Sequence, residues 1–172
     1  MRQADVIQQV VWGGYRIWEP FGIFRRMNIN AAQWTGWDFS GVNLYKGGNL
    51  NVNMQFKNYW NLGTGVSRQG DDINRSELRG GKALIIPGRW GHWMNISTDN
   101  RKKLVVELFV FNGWGDNNYN RNFDMGMELT YRPLDFLEIS LEPSYYHSRR
   151  NVIFVDNIDY ENDKRYIVSS IK

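Results

Sequence analysis

Polar and apolar residues alternate without a break from Asn49 to Phe56. In a strand this period of two places Leu50, Val52, Met54 and Phe56 on one face; in a helix the same four scatter around the axis. A second run sets Phe123, Met125, Met127, Leu129 and Tyr131 against Asp124, Gly126, Glu128, Thr130 and Arg132. Pro133-Leu134-Asp135 interrupts it, and proline suits a turn because it cannot donate to a ladder. Leu137, Ile139 and Leu141 then alternate with Glu138, Ser140 and Glu142. The two arms predict a hairpin with Leu129 near Ile139 and Met127 near Leu141. Glu128, Thr130, Glu138 and Ser140 share its other face, so one register serves both strands.

The same period recurs more weakly at Met27, Ile29 and Ala31, at Trp60, Leu62 and Val66, and at Trp90, Met94 and Ile96. From Leu104 to Phe111 nearly every position except Glu107 is apolar, and the pattern leaves that strand without an orientation. Short connections at 19–22, 57–58, 98–102 and 133–135 alternate with long polar ones at 38–48, 69–82, 113–120 and 149–163. About nine strands result, and no segment carries helical period with usable caps.

Composition narrows the class. Aromatic residues make up 15%, including 8 Trp and 9 Tyr, which suits a sugar-stacking surface or the girdles of a membrane barrel. A net charge of +3 without a like-charge block gives no footprint for nucleic acid. With no cysteine, disulfides, thiolate metal sites and cysteine nucleophiles are excluded. No apolar run reaches the ~18 residues of a membrane helix. The first residues lack the apolar segment of a signal peptide, so an envelope location implies that this chain is a fragment.

Lipid offers no hydrogen bonds, so a spanning sheet must close into a barrel whose strands alternate over ~9–11 residues. The expected fold is therefore all-β: an antiparallel up-and-down meander forming part of a transmembrane β-barrel. Leu50, Val52, Met54 and Phe56 in one ribbon, and Met125, Met127, Leu129, Leu137, Ile139 and Leu141 in the hairpin, are the expected lipid-facing residues. Tyr59, Trp60, Tyr131, Phe136, Tyr145 and Tyr146 fall near strand ends, where rings with a polar edge favour the membrane interface. A soluble carbohydrate-binding β-sandwich also alternates and is the second reading.

Candidate chemistry is sparse. His92 and His147 have no metal-ligand spacing, and Ser76, Ser144 and Ser148 have no nucleophile-elbow context. Glu128, Glu138 and Glu142 offer carboxylates for acid–base work in a β-rich hydrolase, though solvation or pairing with Arg132 or Arg26 explains them more simply. Asp156, Asp159, Glu161 and Asp163, and separately Asp116, Asn117 and Asn118, form oxygen-rich loops without calcium-loop spacing. Arg79-Gly80-Gly81 suits a loop folded back on the sheet. If a glycan binds, Trp34, Trp37, Trp114 and Arg79 are the candidates. No catalytic residue, metal ligand or cofactor is expected.

Several motifs occur in a telling order: Phe56-Lys57-Asn58-Tyr59-Trp60, Arg79-Gly80-Gly81, Thr98-Asp99-Asn100-Arg101-Lys102-Lys103, Tyr131-Arg132-Pro133-Leu134-Asp135-Phe136-Leu137, Pro143-Ser144-Tyr145-Tyr146, and Val155-Asp156 before Arg165-Tyr166. From about residue 20 onward the set resembles the C-terminal barrel of the domain-of-unknown-function 5916 family, found in Bacteroidota-like bacteria. The resemblance implies an outer-membrane barrel preceded, in many members, by a family-9-like carbohydrate-binding domain that this chain lacks. It implies outer-membrane lipid, the remaining barrel strands and a glycan as partners, and it transfers no catalytic residue.

Overall fold

Alternation becomes pairing in the computed structural model, which describes residues 5–75, 83–160 and 163–171. Twelve strands form among the described residues: β1 (Val6–Ile17), β2 (Phe24–Asp38), β3 (Asn43–Phe56), β4 (Asn61–Gln69), β5 (Asp72–Asn74), β6 (Leu84–Ile86), β7 (Arg89–Ser97), β8 (Leu104–Gly115), β9 (Asn120–Leu134), β10 (Leu137–Leu141), β11 (Ser144–Tyr160) and β12 (Asp163–Ile171). The main sheet runs β1-β2-β3-β4-β7-β8-β9-β11-β12, every pair antiparallel, and β10 also pairs with β9. β5 and β6 form a separate small hairpin. β10 and β11 follow β9 as one line interrupted at Glu142-Pro143, where the Pro143 carbonyl accepts from Met127 N at 3.0 Å.

The fold is thus the expected all-β meander, with nine lanes of strand. The sheet is not closed into a barrel. β1 and β12 are its margins.

Two local expectations change. The hairpin turn sits at 135–136, so Ile139 faces Tyr131 and Leu141 faces Leu129. That is two residues from the expected register, on the same faces, with an irregularity between Leu137 and Ile139. The long connections at 38–48, 113–120 and 149–163 shrink to 39–42, 116–119 and 161–162, because β2, β3, β8, β9 and β11 extend through them. Only 70–88 is long.

From β2 to β9 of the main sheet, the apolar ranks line up on one face. Met27, Met54, Leu62, Ile96, Leu108 and Met127 form one cross-sheet rank. Ile29, Val52, Thr64, Met94, Val110 and Met125 form the next. β8 gains its orientation from its neighbours: Leu104, Val106, Leu108 and Val110 join this face, while Glu107, Phe109 and Phe111 take the other.

Among the described residues no second layer covers the apolar face, and only Leu44 and Val105 are buried hydrophobics. Leu50 is 47% exposed and Ile139 56%. The chain exposes 12270 Å², against roughly 8,800 Å² for a globular protein of 20.3 kDa. The surplus surface is what a single-layer sheet leaves when nothing packs on it.

The turns at 18–23, 57–60, 98–103 and 135–136 lie at one end of the sheet. There Tyr59 adopts φ +67, a left-handed conformation that costs an L residue about 1–2 kcal/mol. Its ring carries the Arg101 guanidinium 3.3 Å from the centroid and that of Arg25 at 4.6 Å. Asp99, 5% exposed, holds Arg101 through Nε at 2.8 Å and Nη2 at 2.7 Å. These bonds lower the Asp99 pKa to about 2. A depressed carboxylate stabilises the fold fully above its unfolded pKa, about 3.9, and loses that contribution as pH falls toward the folded value. Between pH 4 and pH 2 the native protein is therefore expected to lose stability faster than Asp99→Asn, as read from denaturation midpoints at each pH. Parallel curves would remove Asp99 as the sensor.

Candidate functional site

The opposite face is built of amides, small residues and a few rings. Asn30, Asn51, Gly65, Trp93, Phe111 and Asp124 share one rank across β2 to β9. Asn51 Nδ2 donates to Asn30 Oδ1 at 3.1 Å, and Trp93 Nε1 donates to Asn51 Oδ1 at 3.1 Å. The second bond passes over β4, where Gly65 leaves room: a Cβ there would lie 2.1 Å from Asn51 Oδ1 and 2.4 Å from Trp93 Nε1. Gly63 is equally enclosed, its Cβ position 2.1 Å from Asn95 Oδ1. Glycine is thus required on β4 by close approach of neighbouring side chains. The Asn28 and Asn49 Oδ1 atoms are buried without a hydrogen-bond partner.

Charge is segregated along one rank of this face. Arg26, Gln55, Asn61, Ser97, Glu107 and Glu128 form one continuous rank, cationic on β2, neutral through β3 to β7, and anionic on β8 and β9. A hollow of about 350 Å³ lies at the cationic side, lined by Arg16, Arg26, Asn28, Gln55 and Asn61. A second of about 400 Å³ lies at the anionic side, lined by Glu107, Glu128, Glu142 and Ser144, and Asn95 borders both. Such a rank sets up a field across the face that orients dipolar solutes, with amides to replace their water.

The described parts of the 70–88 segment, 70–75 and 83–88, are tied to the far end of this face. Gln69 Nε2 donates to Asp72 Oδ1 at 2.7 Å, and Gly88 N donates to Asp71 Oδ1 at 2.8 Å. Arg75 pairs with Asp38 and lies 3.5 Å from Asp5, spanning β3 to reach β2 and the start of β1. Arg79 and Ser76 lie outside the described residues.

The other expected site residues are distributed as follows. Trp34 is on the polar face, where Nε1 donates to Gln69 Oε1 at 2.9 Å. Trp37 and Trp114 take the opposite parity, so the three do not share a stacking surface. Glu128, Glu138 and Glu142 are all on the polar face, but Glu138 is held by Arg132 at 2.6 Å. His92 and His147 share a rank on the apolar face with β8 and β9 between them; His92 Nε2 meets Thr64 Oγ1 at 3.2 Å. Among the described residues no group of His, Asp and Glu could hold a metal. Asp116 is taken by Arg68 Nη1 at 2.9 Å; the side chains of Asp159, Glu161 and Asp163 lie outside the described residues. All ten residues from Leu50 to Leu141 expected to face lipid occupy the apolar face. The charge-segregated rank had no local signal in the sequence.

No curated protein and no solved structure matches the chain. The DUF5916 family, described as a domain of unknown function, matches residues 1–170, a longer stretch than the motif series from residue 20 suggested. The chain belongs to this DUF5916 family.

Proposed function

We propose that this chain is a section of the wall of a bacterial outer-membrane β-barrel, acting in passage or anchoring rather than catalysis. The carrying observation is the nine-lane meander with one uncovered apolar face and one amide-rich face crossed by a charge-segregated rank. In water, an uncovered face of this extent favours aggregation; against acyl chains it is the stable arrangement. On β9 the apolar parity extends from Phe123 to Tyr131, nine residues, matching the ~9–11 of a tilted spanning strand. The polar face then lines the interior, where its field and amides suit small polar solutes. Strands outside this chain, or a second copy, complete the ring along the β1 and β12 margins, since open margins in lipid leave backbone groups unsatisfied.

The soluble sandwich reading needs a second sheet over Leu50, Val52 and Ile139, and the described residues supply none. Membrane fractionation of the full-length parent protein tests the proposal. The protein is expected in the outer-membrane fraction, released by detergent and not by high salt or carbonate. Recovery as a detergent-free soluble monomer would overturn it.

A further inference from the structure

On the polar face, Arg16, Asn28, Asn53, Gly63 and Asn95 follow one another in register across β1, β2, β3, β4 and β7. All five line the hollow of about 350 Å³ at the cationic side. Arg26 lines it from the next rank, as a diagonal neighbour of Arg16 within reach of a long side chain. Among the described residues no ion pair includes Arg16 or Arg26. Arg16 lies 6.0 Å from the Trp18 ring centroid, which keeps its guanidinium at the rim of the hollow. The amides add acceptors. Asn28 Oδ1 is buried and has no hydrogen-bond partner. A Cβ on Gly63 would lie 2.1 Å from Asn95 Oδ1 and 2.9 Å from Asn53 Oδ1, so both oxygens lean into the space that the glycine leaves.

We propose that this hollow binds a small polyhydroxylated carboxylate, a solute of the sugar-acid kind. The proposal rests on the barrel reading, which turns this face toward a water-filled interior. Two neighbouring guanidiniums suit one carboxylate, which accepts from both and relieves their mutual repulsion. The three amide oxygens beside them call for donors, and hydroxyl groups supply them; a buried acceptor left unmet is costly. Sulfate carries charge but no donor, so it answers the arginines and leaves Asn28 Oδ1 unpaired. A neutral sugar does the converse. Glu107 and Glu128, paired across β8 and β9, repel an anion toward the β1–β2 side. The volume is at the small end of ligand pockets and suits a single ring.

The test uses the full-length protein purified in detergent and titrated calorimetrically at neutral pH with D-glucuronate, D-glucose and sulfate. Glucuronate is expected to bind about tenfold more tightly than either of the others. Arg16→Gln/Arg26→Gln should bring glucuronate down to the level of glucose. Asn28→Ala should weaken glucuronate about fivefold and leave sulfate unchanged. Arg121→Gln, paired with Trp114 on the opposite face, should bind as the native protein does. Circular dichroism matching the native protein establishes that each variant is folded before titration. Equal affinity of the native protein for glucuronate and either control, no binding of glucuronate, a preference surviving in the double variant, or unchanged affinity in Asn28→Ala overturns the assignment while leaving the barrel reading intact. A protein soluble without detergent would instead strike the barrel reading itself.

Discussion

Leu50→Arg is expected to destabilise the full-length protein by about 2–4 kcal/mol when it is refolded into phospholipid vesicles and titrated with guanidinium, the cost of a cation on a lipid-facing strand near the bilayer midplane. The position decides between environments because nearly half of its surface is left uncovered by the rest of the chain. Leu50 is 47% exposed and sits between Ala31 and Val66, in the middle of β3. At an exposed site in water the same change stays within about 0.5 kcal/mol. A penalty of that smaller size would mean that the face meets water, and the barrel proposal would fail. Leu104→Arg on β8, beside the turn at 98–103, should cost about 0–1 kcal/mol, since the penalty falls off toward the interface.

The second large effect lies on the polar face. Gly65→Val drives a branched side chain into the space where Trp93 Nε1 meets Asn51 Oδ1, both within 2.4 Å of the new Cβ. Overpacking costs about 1–3 kcal/mol, and a lost, partly buried hydrogen bond adds about 1. Together they predict about 2–4 kcal/mol, read by the same titration and accompanied by a change in Trp fluorescence. Gly126→Val is the control: nothing lies within 4 Å of its Cβ position, so its effect should stay below about 0.5 kcal/mol. Equal effects at the two glycines would show that enclosure on β4 is not what makes Gly65 costly to replace.

Strand identity and facing were legible wherever alternation was clean, because parity is a local property. Asn49 to Phe56 and Phe123 to Leu141 needed only a period of two. Register was not local. The hairpin slipped by two residues because its turn tightens to 135–136 and β9 carries an irregularity opposite Leu137 and Ile139. Glycines misled most. Gly47-Gly48 and Gly113 to Gly115 fell inside expected long connections, yet they are strand positions, two of them set against neighbouring rings: a Cβ on Gly47 would lie 2.7 Å from Trp34, and one on Gly113 3.1 Å from Phe111. The run from Leu104 to Phe111 stayed unoriented because both of its parities are apolar, and only pairing with β7 and β9 settles which face each side chain joins. Grouping Trp34, Trp37 and Trp114 by nearness to loops ignored the parity that divides them. The rank from Arg26 to Glu128 depends on five registers at once, so no single segment announces it.

In the main sheet each lane pairs only with its neighbours along the chain, the β5–β6 hairpin standing apart. Such an architecture is modular in units of two lanes. Excising β7 and β8 would bring β4 beside β9 with opposite direction preserved, and duplicating a hairpin would widen the wall without rewriting any existing pair. Size can therefore drift among descendants of one ancestor by gain or loss of whole hairpins, while the chemistry of each surviving lane stays in place.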